Sequence, residues 1–488
     1  MTLWAWMKSA VAYYVLLLTA FGLGMFGVLH WGARLPPPAP VAEAGQPAKE
    51  LNSVSGGVPA GSTSPGNDRN LQSPVSRLLL QLLVIIAVSR LVGRAFSLCG
   101  QPSVVGEMAA GILLGPSLFG LLSPGSFHFV FPDASLGTLQ LLSQIGVCLF
   151  MFAVGMELDV THLRHRARTA LVVSHASIVI PYFLGAVLAC FLYTRLAAPG
   201  AGFTAFALFM GISMSITAFP VLARILQERG LSKTFLGAMA ITCAAVDDVT
   251  AWSALAVVVA IARAVSVESS VLSLALVVVF IAFMVMVVRR ALPRWLGSAR
   301  LEGEPSKGAL AAVVCIVMAA ALSTEMIGIH ALFGAFLAGA IMPETGGFRQ
   351  KISLRIENFS SVLLLPLFFV FTGLRTQVGL LNDVESWLLC LLIIAVATVG
   401  KLGGTAVAAR LTGMGWREAL RLGALMNTRG LMELIALNIG FDLGILSPRI
   451  FTMLVIMALA TTVLTGPLLS LFGSNQRAPE GEPQPSVP

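Results

Sequence analysis

Two adjacent aspartates, Asp247 and Asp248, lie in the middle of a long apolar run, within Ala244-Ala245-Val246-Asp247-Asp248-Val249-Thr250-Ala251-Trp252. A carboxylate at the centre of a bilayer costs about 2.5–3.5 kcal/mol on insertion scales, so such residues mark ion or proton pathways far more often than packing. Successive residues on a helix diverge by about 100°. The two carboxylates therefore cannot face each other at the roughly 3 Å of an aspartyl-protease dyad, which disfavours intramembrane proteolysis. The same divergence lets one pair with a neighbouring helix while the other turns toward a water-filled cavity. A matching cation is present in a second apolar run, Lys401 in Val399-Gly400-Lys401-Leu402-Gly403-Gly404. The nearest end of its run is about ten residues, or about 15 Å, away, too far for the side chain to snorkel to an interface. Lys401 is the natural counter-charge for one aspartate.

Two other apolar runs are interrupted at mid-depth, one by Ser213-Met214-Ser215-Ile216-Thr217-Ala218-Phe219-Pro220 and one by Asn427-Thr428-Arg429-Gly430. Proline removes a helix donor and glycine loosens the backbone, so each run can unwind there. Unwound backbone at this depth is tolerated only where it is buried or lines a cavity. The interruptions fall in the fifth and twelfth spans of the core counted below, seven apart, and an odd offset reverses orientation. That is the inverted-repeat arrangement in which a transporter holds its site between two broken helices. Ser215, Thr217, Pro220, Asn427, Thr428, Arg429 and Gly430 are the candidate residues of the breaks. Arg429 and Glu433, one turn apart, form an i,i+4 pair and support the fold. Glu107 and Glu157-Leu158-Asp159 are expected at the membrane interface, and His175 as an ordinary packed histidine.

The elements that must carry these residues are dictated by composition. The 488 residues are 57% hydrophobic and 11% charged, with a mean hydropathy of +0.88, against roughly 25% charged in a soluble domain. Apolar runs of about twenty residues, each sufficient to cross about 30 Å of hydrocarbon, recur at 76–96, 104–121, 137–155, 167–194, 201–226, 233–262, 271–292, 308–327, 329–343, 358–375, 386–411, 417–440 and 449–472. The fold is thus an all-α polytopic membrane protein with a 13-helix core. A further run, Ser9–Leu29, follows Lys8 and reads as an N-terminal signal-anchor helix. Ala42-Glu43-Ala44 has the form of a cleavage site, but the apolar run ends well before it, which favours an uncleaved anchor. The expected organisation is an anchor over residues 1–34, a disordered extracytoplasmic linker over 35–74, the transport domain over 75–473 and a short cytoplasmic tail over 474–488. Basic residues concentrate in the odd-numbered connections, such as Arg164, Arg166 and Arg168, or Arg289, Arg290 and Arg294. The even-numbered ones hold only Arg195, Arg263, Arg375 and Arg449. The positive-inside rule then puts the core N-terminus outside and the C-terminus in the cytoplasm. The net charge of +8 is spread over these connections and forms no nucleic-acid stripe. The six cysteines have no paired spacing, which points to neither a disulfide framework nor a zinc site. No P-loop or dinucleotide fingerprint is present, so neither an enzyme nor a cofactor is expected.

Five segments, in order, resemble the monovalent cation:proton antiporter superfamily, in the branch of bacterial sodium/proton and potassium/proton antiporters and plant cation/proton exchangers. They are Val105-Gly106-Glu107-Met108-Ala109-Ala110-Gly111-Ile112-Leu113-Leu114-Gly115-Pro116, Phe150-Met151-Phe152-Ala153-Val154-Gly155-Met156-Glu157-Leu158-Asp159, Ser215-Ile216-Thr217-Ala218-Phe219-Pro220-Val221-Leu222-Ala223-Arg224, the aspartate pair, and Asn427-Thr428-Arg429-Gly430-Leu431-Met432-Glu433-Leu434. The resemblance covers roughly residues 77–472. It implies a homodimer in a bacterial inner membrane, with a dimerisation domain and a core holding two crossed broken helices. It further implies that Asp248 carries the transported proton or alkali cation, that Asp247 partners Lys401, and that Thr217 lines the site. The plant exchangers usually have Asn before the functional aspartate, where this chain has Asp247. The gated bacterial potassium systems carry a nucleotide-binding domain, for which the sixteen residues after Phe472 leave no space. The expected activity is proton exchange for sodium or potassium by alternating access, electrogenic because of the second carboxylate. A sodium-coupled solute symporter of similar architecture is the alternative. A sensor without flux is disfavoured by the lack of a domain to read it out.

Overall fold

The computed structural model describes residues 3–38, 73–157, 167–231, 234–263, 267–296, 306–343 and 347–473. The expected linker, but for its two ends, and all but the first residue of the region after Phe472 lie outside them, as do Leu158 and Asp159. The described chain is helical, with one isolated antiparallel bridge between Ala197 and Leu446. Among the described residues, twelve helices are long and apolar enough to cross a membrane. The run at 329–343 forms the shorter apolar helix Ala331–Ala340, and the run at 417–440 is split into two half-helices.

In chain order the elements used below are α1 (Leu3–Gly32), α2 (Pro74–Leu98), α3 (Ser103–Leu114), α4 (Asp133–Glu157), α5 (Ala167–Leu196), α6 (Phe203–Ser215), α7 (Phe219–Glu228), α8 (Phe235–Arg263) and α9 (Val267–Phe283). They continue with α10 (Lys307–Ile327), α11 (Ala331–Ala340), α12 (Phe348–Phe359), α13 (Leu365–Arg375), α14 (Val384–Thr398), α15 (Gly404–Leu411), α16 (Trp416–Met426), α17 (Leu431–Asp442) and α18 (Pro448–Phe472). The helices sort into two bundles. A scaffold is made by α2 with α3, α3 with α13, α4 with α11, α12 and α13, and α10 with α11. A core is made by α5 with α6 and α8, α15 with α5 and α16, and α18 with α14, α16 and α17. α1 lies against α5 and α6, with Phe21 edge-on to Tyr182 at 5.8 Å.

Lipid tails give helices no hydrophobic reason to associate, so close approach through small residues drives their packing. Gly111 of α3 and Gly373 of α13 meet this way: a Cβ added to Gly111 would stand 2.2 Å from the Phe369 carbonyl oxygen, and one on Gly373 2.0 Å from that of Gly111. No side chain fits at either position. The scaffold's central crossing therefore depends on both glycines.

A charge cluster where two broken helices cross

The fifth and twelfth runs break where the sequence predicts. α6 stops at Ser215 and α7 starts at Phe219, with Pro220 in its first turn, where a missing N–H costs nothing. α16 stops at Met426 and α17 starts after Gly430. The two gaps touch, for the Ala218 amide donates to the Thr428 carbonyl at 3.0 Å. The Thr217 hydroxyl reaches the Met426 carbonyl at 3.1 Å and the Asp247 carboxylate.

A broken helix leaves its last carbonyls without amide donors. At the end of α6 they are met by cations. Arg429 donates from Nη1 to the Ser213 carbonyl and from Nη2 to that of Met214 at 2.6 Å, and Lys401 donates to the Ser215 carbonyl. Lys401 also donates to the Ser177 carbonyl at 3.0 Å. That carbonyl lies four residues before Pro181, which interrupts α5 and has no N–H to offer it. The third bond of Lys401 is an ion pair with Asp247 at 2.8 Å. All three donors of the ammonium are thereby used. Lys401 reaches these partners from a π-helical turn, Val399–Gly403, between α14 and α15. Such turns recur at functional sites.

Asp247 and Lys401 are both fully buried, as are Arg429 and Glu433, which pair at 3.0 Å. Ser174 adds a bond to Asp247 at 3.3 Å. Thr462 holds the Arg429 backbone from both sides, accepting from its amide at 2.9 Å and donating to its carbonyl at 2.8 Å. Asp248 follows on the same helix and is 2% exposed. Thr217, expected to line the site at Asp248, reaches the carboxylate of Asp247. Asn427 caps the end of α16, fully buried, and neither atom of its amide has a hydrogen-bond partner among the described residues. The crossing thus gathers three carboxylates (Asp247, Asp248 and Glu433) and two cations (Lys401 and Arg429) away from solvent.

Two spaces flank α17 between the bundles. The wider, about 500 Å³, is lined by Glu107, Arg224, Glu228 and Glu357 and ends on Pro220 and Leu431, at the starts of α7 and α17. The narrower, about 30 Å³, lies toward the other end of α17 beside Gln144, His330, Asn438 and Asp442. Glu107 is 6% exposed and paired with Arg90 at 3.2 Å. The cause is the close crossing of α2 and α3, where a Cβ on Gly106 would stand 2.8 Å from the Gly93 Cα, so that α2 covers the start of α3. His175 is half-buried and bonds the Leu171 carbonyl one turn back at 2.8 Å. Ser174, Ser177 and Thr462 were not singled out by sequence reading, since hydroxyls in apolar helices ordinarily bond their own preceding turn.

A membrane bundle with two crossed broken helices around buried carboxylates defines a secondary transporter of the inverted-repeat kind. The family model for the transmembrane region of sodium/hydrogen exchangers matches residues 82–473, and the chain belongs to that family. It is 44% identical over 393 residues to the Na(+)/H(+) antiporter NhaS4 of Synechocystis, covering 80% of this chain and 96% of the relative. It is 39% identical to cation/H(+) antiporter 19 of Arabidopsis thaliana over 85% of this chain and 52% of that protein. It is 33% identical to K(+)/H(+) antiporter 1 of Saccharomyces cerevisiae over 82% of this chain and 47% of that one. The chain therefore spans about half the length of the plant and yeast relatives. Among solved structures, the sodium proton antiporter MjNhaP1 of Methanocaldococcus jannaschii shares the fold, with a TM-score of 0.60 at 14% identity, covering 81% of this chain and 97% of that one.

Proposed function

We propose that this protein exchanges protons for a monovalent alkali cation, sodium or potassium, with Asp248 carrying the exchanged ion. The observation that carries the reading is the burial of Asp248, 2% exposed on α8 at the crossing of the broken helices, beside an Asp247 already engaged by Lys401 and Thr217. A proton or a desolvated alkali cation can occupy the Asp248 carboxylate, and one excludes the other. An empty site leaves that buried carboxylate charged, which is costly to move through a low-dielectric region. Exchange is then obligatory, because the core moves readily against the scaffold only when loaded. Asn427 supplies a buried amide oxygen of the kind that completes an alkali-cation shell.

Positive-inside bias supports a wide cavity facing the cytoplasm, since Arg224 and Arg90 border connections rich in basic residues. The protein works as a homodimer in a bacterial inner membrane, with the core N-terminus outside and the C-terminus inside. α1 remains attached as a signal-anchor resting on the core, which intact-mass measurement of the membrane-extracted protein checks. No observation favours sodium-coupled solute symport. Proton flux in proteoliposomes under imposed sodium or potassium gradients tests the proposal: exchange is expected with at least one of the two ions, and flux requiring an added organic solute would contradict it.

A further inference from the structure

We infer that Arg375, Asp442, Asn438 and Thr372 form the gate that holds the narrow side of the transporter shut and must open once in each cycle. The inference rests on the exchange reading above and adds to it the residues that control access. Thr372 and Arg375 belong to α13 of the scaffold, whereas Asn438 and Asp442 belong to α17 of the core. Arg375 pairs with Asp442 at 2.7 Å and donates to the Asn438 side-chain oxygen at 3.0 Å. The Asn438 amide donates in turn to the Thr372 hydroxyl at 2.8 Å. Three polar bonds therefore tie one bundle to the other along one helix face. The guanidinium is held over the ring of Phe371, 4.2 Å from its centre, and lies 5.2 Å from that of Phe441.

Position gives these bonds their meaning. α17 is twelve residues long, about 18 Å, and it separates the two spaces between the bundles. At its Leu431 end the bundles stand apart around about 500 Å³, where Arg90 pairs with Glu107 and Arg224 with Glu228, each within one bundle. At its Asp442 end the space has shrunk to about 30 Å³, and the ion pair crosses from scaffold to core. Asn438 lines that remnant directly, at 6% exposure. A motion that closes the wide side and opens the narrow one pulls α17 away from α13. It must part Arg375 from Asp442 and Asn438 from Thr372. None of the four residues belongs to the charge cluster at the crossing, so they act as positioning residues that set which face is open.

The test is a cysteine pair, Thr372→Cys with Asn438→Cys, in protein whose exposed Cys99 and Cys315 are replaced by serine. In proteoliposomes the reduced protein should exchange protons for the cation. Oxidation, verified by loss of thiol labelling, should cut exchange at least about tenfold, and reductant should restore it. Unchanged exchange by fully cross-linked protein overturns the inference and makes this contact a fixed joint. Absence of exchange from the unmodified protein under every alkali-cation gradient would instead strike the functional reading. Asp442→Asn and Arg375→Gln supply an independent measurement that needs no cross-link. Each should change the ratio of apparent KM at the two membrane faces by about fivefold, and the double variant should match the singles. A lower maximal rate with an unchanged ratio also refutes the gate.

Discussion

The ion pairs at the helix crossing and those along the scaffold–core interface are built from the same residue types in opposite surroundings. Asp247–Lys401 and Arg429–Glu433 have no exposed side-chain surface at all. Arg90–Glu107 and Arg375–Asp442 keep one partner substantially open, Arg90 at 45% and Asp442 at 36%. In the crossing, each cation also satisfies carbonyls orphaned by a helix break, so it cannot leave without exposing both a carboxylate and a backbone end. At the interface, a separating partner can be taken up by water. Arg90–Glu107 stays within the scaffold whereas Arg375–Asp442 crosses to the core, so the difference teaches that the pair that must part is one whose partners water can reach, while the fully enclosed pairs stay inside one moving body.

The sharpest way to break this contrast is Lys401→Met. Removing one partner of a buried pair costs about 3–5 kcal/mol, and the Ser177 and Ser215 carbonyls lose a donor as well. A large drop in thermal stability in detergent is expected, and Asp247→Asn combined with Lys401→Met should recover much of it. Arg429→Met should come next, since Glu433 and the Ser213 and Met214 carbonyls lose their donor together. If Arg90→Met costs as much as either, burial is not what separates the two sets.

A smaller effect concerns charge movement. Asp247 with Lys401 gives the core a second carboxylate whose partnership can change when its neighbour fills, so a membrane potential imposed without ion gradients should drive cation flux. Zero flux would make Asp247 scaffold alone. The smallest effect is expected at Asp383, the N-cap of α14, which accepts from the Ser386 amide at 3.1 Å. The Ser386 hydrogen bonds, with Arg449 nearby, hold its carboxyl below the usual carboxylate range. Its contribution is therefore present above the unfolded pKa of about 3.9 and fades as pH falls through the lower folded value. Asp383→Asn should cost slightly at neutral pH and nothing below that window, measured by thermal unfolding across pH.

What the sequence made legible follows from cost. Asp247, Asp248 and Lys401 stood out because ionisable groups at mid-membrane are rare; that Lys401 pairs with one aspartate follows from two charges needing each other, while the choice of Asp247 came from the family resemblance. Pro220 and Gly430 announced the breaks because their effect on the backbone is local. The burial of Glu107 was not legible, because its position four residues into α3 says nothing about the helix that covers it. Arg375 and Asp442 sit near helix ends, where charges are unremarkable, and only tertiary packing brings them together. The role of Pro181 in freeing a carbonyl for Lys401 needed the contact between α5 and the π-helical turn, for which the glycines around Lys401 were the only local sign.

The central claim is that Asp248 carries the exchanged ion while the matched pairs hold its surroundings. Its most direct test is Asp248→Asn, purified and reconstituted beside the unmodified protein, with proton flux followed after a sodium or potassium gradient is imposed. The account predicts a variant with unchanged size-exclusion behaviour and no exchange with either ion. Exchange by Asp248→Asn at a rate comparable to that of the unmodified protein would contradict it.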